Sequence, residues 1–295
     1  MSSLITKKRI KFYLGLKRYF FILTITLLSA LSGFAQRTKK SSEIGLFLGG
    51  SYYIGDLNPN GHFNQFTKPA GGIVYRYNFN RRFAARANAL YGNMEAHDSY
   101  SKSPSQRQRN LGFKSEIIEL STQCEFNFQN FEIGSDKTIL SPYIFAGLAG
   151  FYFNPQGEIG NNWVDLQPLS TEGEGLAGGS RASKYKRLQL SVPFGVGVKV
   201  VFAKGIGLGF EWGMRKTFTD YLDDVSTQYY NPAILAAQKG ATAAYLSDPS
   251  IGTDPKYTNV GRQRGNPTTK DWYNFFGIVL TFKLNPKADL CPHAY

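Results

Sequence analysis

Three histidines, two cysteines and a small run of aspartates are the residues of this 295-residue chain that could do chemistry. His62 and His97 fall in polar stretches near Asp56 and Asp98. That is the neighbourhood a histidine base and its orienting carboxylate would need. A hydrolase would add a nucleophile, and neither a G-x-S-x-G elbow nor an H-E-x-x-H helix accompanies them. Cys124, Cys291 and the histidines, His293 included, do not stand at the spacings of a zinc site. A Cys124–Cys291 bridge stays open in an oxidising compartment. Asp220, Asp223 and Asp224 offer oxygen ligands for Ca²⁺, but no EF-type loop surrounds them, and capping of loop backbone is the simpler use. The glycines from Gly45 to Gly55 lack the following helix that a phosphate cradle requires. The pattern points to a non-enzymatic protein with no catalytic, cofactor-binding or metal-binding residue and no cofactor.

The formal charge of +13 would suggest nucleic acid, yet it is misleading. Lys7, Lys8, Arg9, Lys11, Lys17 and Arg18 precede residue 36 with no acid among them, and removing these six leaves +7, scattered along the chain. They lead into the run Tyr19–Ala35, whose apolar centre has the length of a signal-peptide core and is too short for a membrane helix. Gly33 and Ala35 are the small residues of a cleavage site before Gln36. The expected layout is a signal peptide over 1–35, a barrel over 36–285 and a short tail over 286–295.

Behind the leader, aromatic residues make up 15% of the chain and glycine is frequent, which favours strands. Period-2 alternation marks eight of them: 43–53, 69–79, 82–93, 115–128, 140–153, 186–202, 206–217 and 271–284. The clearest is 115–128, where Ile118, Leu120, Thr122, Cys124, Phe126 and Phe128 alternate with Glu119, Ser121, Gln123, Glu125 and Asn127. The connections at 54–68, 94–114, 154–185 and 218–270 are long, and those between them are short or moderate. An all-β, eight-stranded antiparallel outer-membrane barrel alternates its loops in this way, with short periplasmic turns and long extracellular loops. Tyr52, Tyr91, Phe126, Phe128, Phe151, Phe153 and Trp272 stand near strand ends, where an aromatic girdle is expected. A soluble sandwich would use shorter strands, and a lipocalin-like barrel would turn its apolar face inward.

On the opposite face of the same strands stand Arg76, Arg86, Glu119, Glu125, Lys199, Glu211 and Arg215. An eight-stranded interior is just wide enough for side chains. Three carboxylates facing four cations there predict an internal ion-pair network in place of an ion path. Of the loops, 156–184 reads as mobile from its glycine, serine and glutamate content. In 218–230 the positions of Tyr221, Leu222, Val225 and Tyr229 suit a helical turn ended by Asn231-Pro232, with a further helix within 233–247.

Two loop segments carry a resemblance. Tyr53-Ile54-Gly55-Asp56-Leu57-Asn58 and Thr219-Asp220-Tyr221-Leu222-Asp223-Asp224-Val225-Ser226 resemble the PorG-like family of outer-membrane barrels. That family is associated with type IX secretion in Bacteroidota-type bacteria. The likeness extends in layout from about Glu43 to Leu284. It implies a structural role beside the periplasmic ring lipoproteins of that machine, with outer-membrane lipid as the surrounding partner. It makes Asp56, Asp220, Tyr221, Leu222, Asp223 and Asp224 a loop interaction motif. An adhesion barrel working through its outer loops, or a narrow channel, are the alternatives.

Overall fold

Nine strands form in the computed structural model, which describes residues 40–135, 139–250 and 258–284. They are β1 (Ser41–Ile54), β2 (Lys68–Asn78), β3 (Phe83–His97), β4 (Gly112–Asn127), β5 (Leu140–Ile159), β6 (Asn162–Asp165), β7 (Leu188–Ala203), β8 (Ile206–Thr217) and β9 (Trp272–Leu284). Eight of them close a ring. Each neighbour pair is antiparallel, and β1 is bonded to β2 on one side and β9 on the other, so the ring has no free edge. The ninth, β6, only folds back on the end of β5 through a turn at Gly160, and stands outside the ring. The leader, its cleavage site, Cys291, His293 and the tail fall outside the described residues.

Strand phase follows the sequence period. Glu43, Gly45 and Phe47 are buried in β1, while Ile44, Leu46 and Leu48 face out. The same alternation runs through β4, with Glu119, Gln123 and Glu125 inward and Ile118, Leu120 and Cys124 outward. Leu48, Leu120, Leu148 and Leu190 are each about two-thirds exposed (67, 65, 69 and 66%), an outward surface that water would not favour. The outward positions from Ile44 to Tyr52, Ile118 to Phe128, Leu188 to Phe202 and Ile206 to Met214 carry no charge. Each run is at least as long as the roughly 9–11 residues a spanning strand needs. Pro193 lacks an N–H, and the β5–β7 ladder skips its position between the Ala146–Phe194 and Ala149–Ser191 pairs.

The long connections all leave one end of the ring, here the loop end; the short ones leave the turn end. Among the described residues no helix is long and apolar enough to cross a membrane. Three short helices lie at the loop end: α1 (Pro104–Arg109), α2 (Pro232–Lys239) and α3 (Ala241–Ser247).

Several sequence readings change here. Residues 218–230 form no helix; they run as bends, with Asp224 at φ 64°. Asn231-Pro232 starts α2 where the sequence reading had it stop one. The Asn231 side chain accepts from the Ala233 and Ile234 amides, and proline needs no bond at the first helical position. Phe151 and Phe153 point inward and are buried, so they do not belong to the outer girdle. Both faces of β5 are apolar there, and only the register decides between them. The stretch 156–184 is built into the fold: its Thr171, Glu172 and Glu174 are buried under the other loops. His97, finally, closes β3 and touches Glu95 at 3.2 Å, while Asp98 turns away to Arg109.

Candidate functional site

Inside the ring the inward phase of six strands delivers charge to a closed space. Arg76 reaches Glu43 at 2.6 Å and Glu125 at 2.9 Å. Arg86 reaches Glu211 at 2.6 Å and Glu125 at 3.3 Å, donates to the Gln123 amide oxygen at 2.7 Å and lies over the Phe145 ring. Lys199 contacts Glu125 and donates to Asn127. Nearer the loop end, Arg215 donates to Glu119 at 3.0 Å, and the Tyr273 hydroxyl donates to the same oxygen at 2.9 Å. The four cations therefore face four carboxylates, because Glu43 joins the three read from the sequence. Its place opposite Ile44 in the alternation of β1 was the signal. Tyr143, which donates to Glu211 at 2.7 Å, and Tyr273 are further members absent from the sequence reading. The network is neutral, buried and filled with side chains, the condition under which low-dielectric charges persist.

Above it the loops close the mouth. Tyr53 ends β1 and points inward. Its hydroxyl meets Asp223 at 2.5 Å and Asp271 at 3.1 Å. The first of the two family-like segments thus touches the second across the barrel mouth. Gly55 is required beside it, since a Cβ there would lie 2.0 Å from the Tyr53 hydroxyl oxygen and 2.1 Å from Asp271. Asp271 also accepts from the Leu222 amide and Asp223 from the Val225 amide. Asp224 accepts from Thr171 and Tyr185, and Asp220 from Ser226. Glu172 accepts from the Ser226 and Thr227 amides and from Arg264. Arg109 chelates Asp98 with two bonds and also donates to the Asp56 and Arg264 carbonyls, tying three loops together. Phe153, Tyr185 and Tyr221 stack in the middle.

Tyr221, Leu222, Asp220, Asp223 and Asp224 are therefore turned into the cap and hold it shut; Asp56 is half-buried beside them, its carboxylate receiving the Asn266 amide. Each aspartate has its own donor, and among the described residues no group of three or more acidic, histidine or cysteine side chains is placed to hold a metal. Carboxylates outnumber cations in this buried cap, and their affinity for protons rises. Burial pushes Asp220 and Asp224 up to about 6, and burial with the neighbouring Asp224 charge pushes Glu174 to about 8. Burial with the Asp56 charge holds Asp223, and burial with the Asp223 charge holds Asp271, well above the usual carboxylate range. Cys124 lies exposed on the outward face of β4. His62 leaves the mouth altogether and bonds the Tyr52 hydroxyl on the outer wall at 3.0 Å.

Comparison with known proteins adds the following. The family model described as Domain of unknown function (DUF6089) matches residues 17–235. No curated protein matches the chain. Among solved structures the chain is similar to the Neisserial surface protein A, with a TM-score of 0.40 and 8% identity over 83% of this chain and 99% of that one. It is similar to a major outer membrane protein from Thermus thermophilus, with a TM-score of 0.39 and 10% identity over 83% and 100%. The attachment invasion locus protein Ail of Yersinia pestis, in complex with the heparin analogue sucrose octasulfate, gives a TM-score of 0.37 and 8% identity over 84% and 100%.

Proposed function

The chain belongs to the DUF6089 family, and on that premise we propose that it is a non-conducting outer-membrane barrel serving as a structural component of a type IX-like secretion or envelope-assembly machine. The observation that carries this reading is the doubly closed interior. Four cations and four carboxylates fill the lumen, and the loop cap closes its mouth, so little room remains for a permeant or a substrate. The uncharged outward belt supports the membrane location. The alternation of short and long connections supports an orientation with the turn end in the periplasm and the cap outside.

In that orientation the turn end presents exposed Arg81, Arg82 and Lys204 to the periplasm, a basic face for a ring lipoprotein to meet. Copurification from native envelopes tests the role. The wild-type chain is expected to bring down periplasmic lipoproteins, and the R81E/R82E/K204E variant to lose them while keeping its barrel. Absence of any such partner from the wild-type preparation overturns the reading. A second reading, a surface-binding barrel, draws on the open cavities of about 720 and 840 Å³ at the loop end.

A further inference from the structure

Among the described residues three cation–aromatic pairs lie on the outer side of the wall, and all three sit at the loop end. Lys114 lies 4.0 Å over Trp163, Arg187 5.9 Å from Tyr152 and Lys216 5.1 Å from Trp272. At the turn end the outer rings pair with one another, Tyr77 with Phe79 and Phe83 with Phe126. The two rims of the belt therefore carry different side-chain chemistry.

The three pairs are not equivalent. Lys114 and Arg187 stand among carboxylates: Glu116 and Glu158 are exposed beside them, and Asp165 accepts from Arg187. Around Lys216 the balance reverses. Trp272 forms part of the wall of the 720 Å³ cavity, and exposed Lys270 and Arg262 line the same cavity. Among the described residues Asp56 is the carboxylate in that lining, and one of its oxygens is held by the Asn266 amide at 2.9 Å. Asp220 lies near enough to Lys270 to feel its charge, and accepts its hydrogen bond from Ser226.

Below this basic rim the wall is aromatic and apolar. Phe63 is 53% exposed and folds back over Phe276 and Trp212. Ile278 then continues the apolar surface down β9. A cationic recess above a rigid apolar slope fits one amphiphile, with an anionic head and acyl chains.

We propose that the Lys216–Lys270–Trp272 recess binds the phosphates of an outer-leaflet glycolipid, whose chains lie along the β8–β9–β1 wall. This rests on the membrane location proposed above. Native mass spectrometry of the detergent-purified barrel tests it, with added diphosphorylated lipid A, its dephosphorylated form, or inorganic phosphate. The wild type is expected to retain one diphosphorylated molecule. The K216A/K270A variant should retain it about thirtyfold less well, as the loss of two surface cations implies. The K114A/R187A variant should match the wild type. Equal retention by K216A/K270A, equal retention of the dephosphorylated lipid, or inorganic phosphate binding as tightly as the lipid would each overturn the proposal. Envelope fractionation of the wild type separates this from the underlying reading: a protein found outside the membrane fraction defeats the membrane location itself, whatever lipid it binds.

Discussion

At the residue scale the decisive contact is the Tyr53 hydroxyl between Asp223 and Asp271. It joins the end of β1 to the loop before β9 and leaves a buried acidic pair with one shared donor. Removing that hydroxyl in Tyr53→Phe should weaken the cap by about 1–3 kcal/mol, the cost of an unsatisfied buried acceptor. Hydrogen exchange should then quicken in residues 218–230 and not in the barrel strands. Exchange unchanged in that loop would refute the role given to Tyr53. The pH dependence has a definite sign. These carboxylates bind protons more tightly in the folded cap than in the open chain, so the stabilisation is complete below the ordinary carboxylate range. It is lost as pH rises through their folded values, about 6 for Asp220 and Asp224, about 8 for Glu174, and higher than usual for Asp223 and Asp271. The cap should therefore be tighter at pH 5 than at pH 8, after correction for intrinsic exchange rates, and Asp223→Asn should flatten that difference. A cap that tightens with rising pH would reverse the assignment.

At the element scale the strands carry both the belt and the network, and each lumen residue is placed by its phase. Glu125 answers Arg76, Arg86 and Lys199 at once. Glu125→Ala should cost about 3–5 kcal/mol, because buried cations lose their counter-charge. The urea midpoint of the heat-modifiable band should fall accordingly, against no change for the exposed Lys102→Gln. A midpoint equal to wild type would mean that the network carries little stability. On β8 a Cβ at Gly213 would come within 2.8 Å of the Phe145 ring, so Gly213→Val should reduce the yield of folded barrel; full yield would show that Phe145 can move aside. The eight ring strands, the loop-length alternation and the phase of every ring strand but β5 were legible, because a period of two reports the face directly where the two faces differ in polarity. The cap was not. Tyr53 and Asp223 are far apart in sequence, and spacing within 218–230 cannot tell a helical turn from bends whose side chains are drawn to partners on other loops. Asn231-Pro232 reads as a stop or a start until the Asn231 bonds are seen. Phe151 and Phe153 suit either a lipid girdle or a cap core.

For the whole molecule the consequences of closure meet. The ring leaves none of its eight strands with a free edge, ion-paired side chains fill the lumen, and the loops cover the mouth. What remains available is the outward belt, the basic turn end and the cationic rim beside Trp272. Planar-bilayer recording of purified chain, its folded state verified by heat-modifiable migration, tests this closure most directly. The closed lumen and cap lead us to expect insertion without a steady ion current at any moderate voltage, whereas a persistent, reproducible conductance from the wild-type barrel would contradict it.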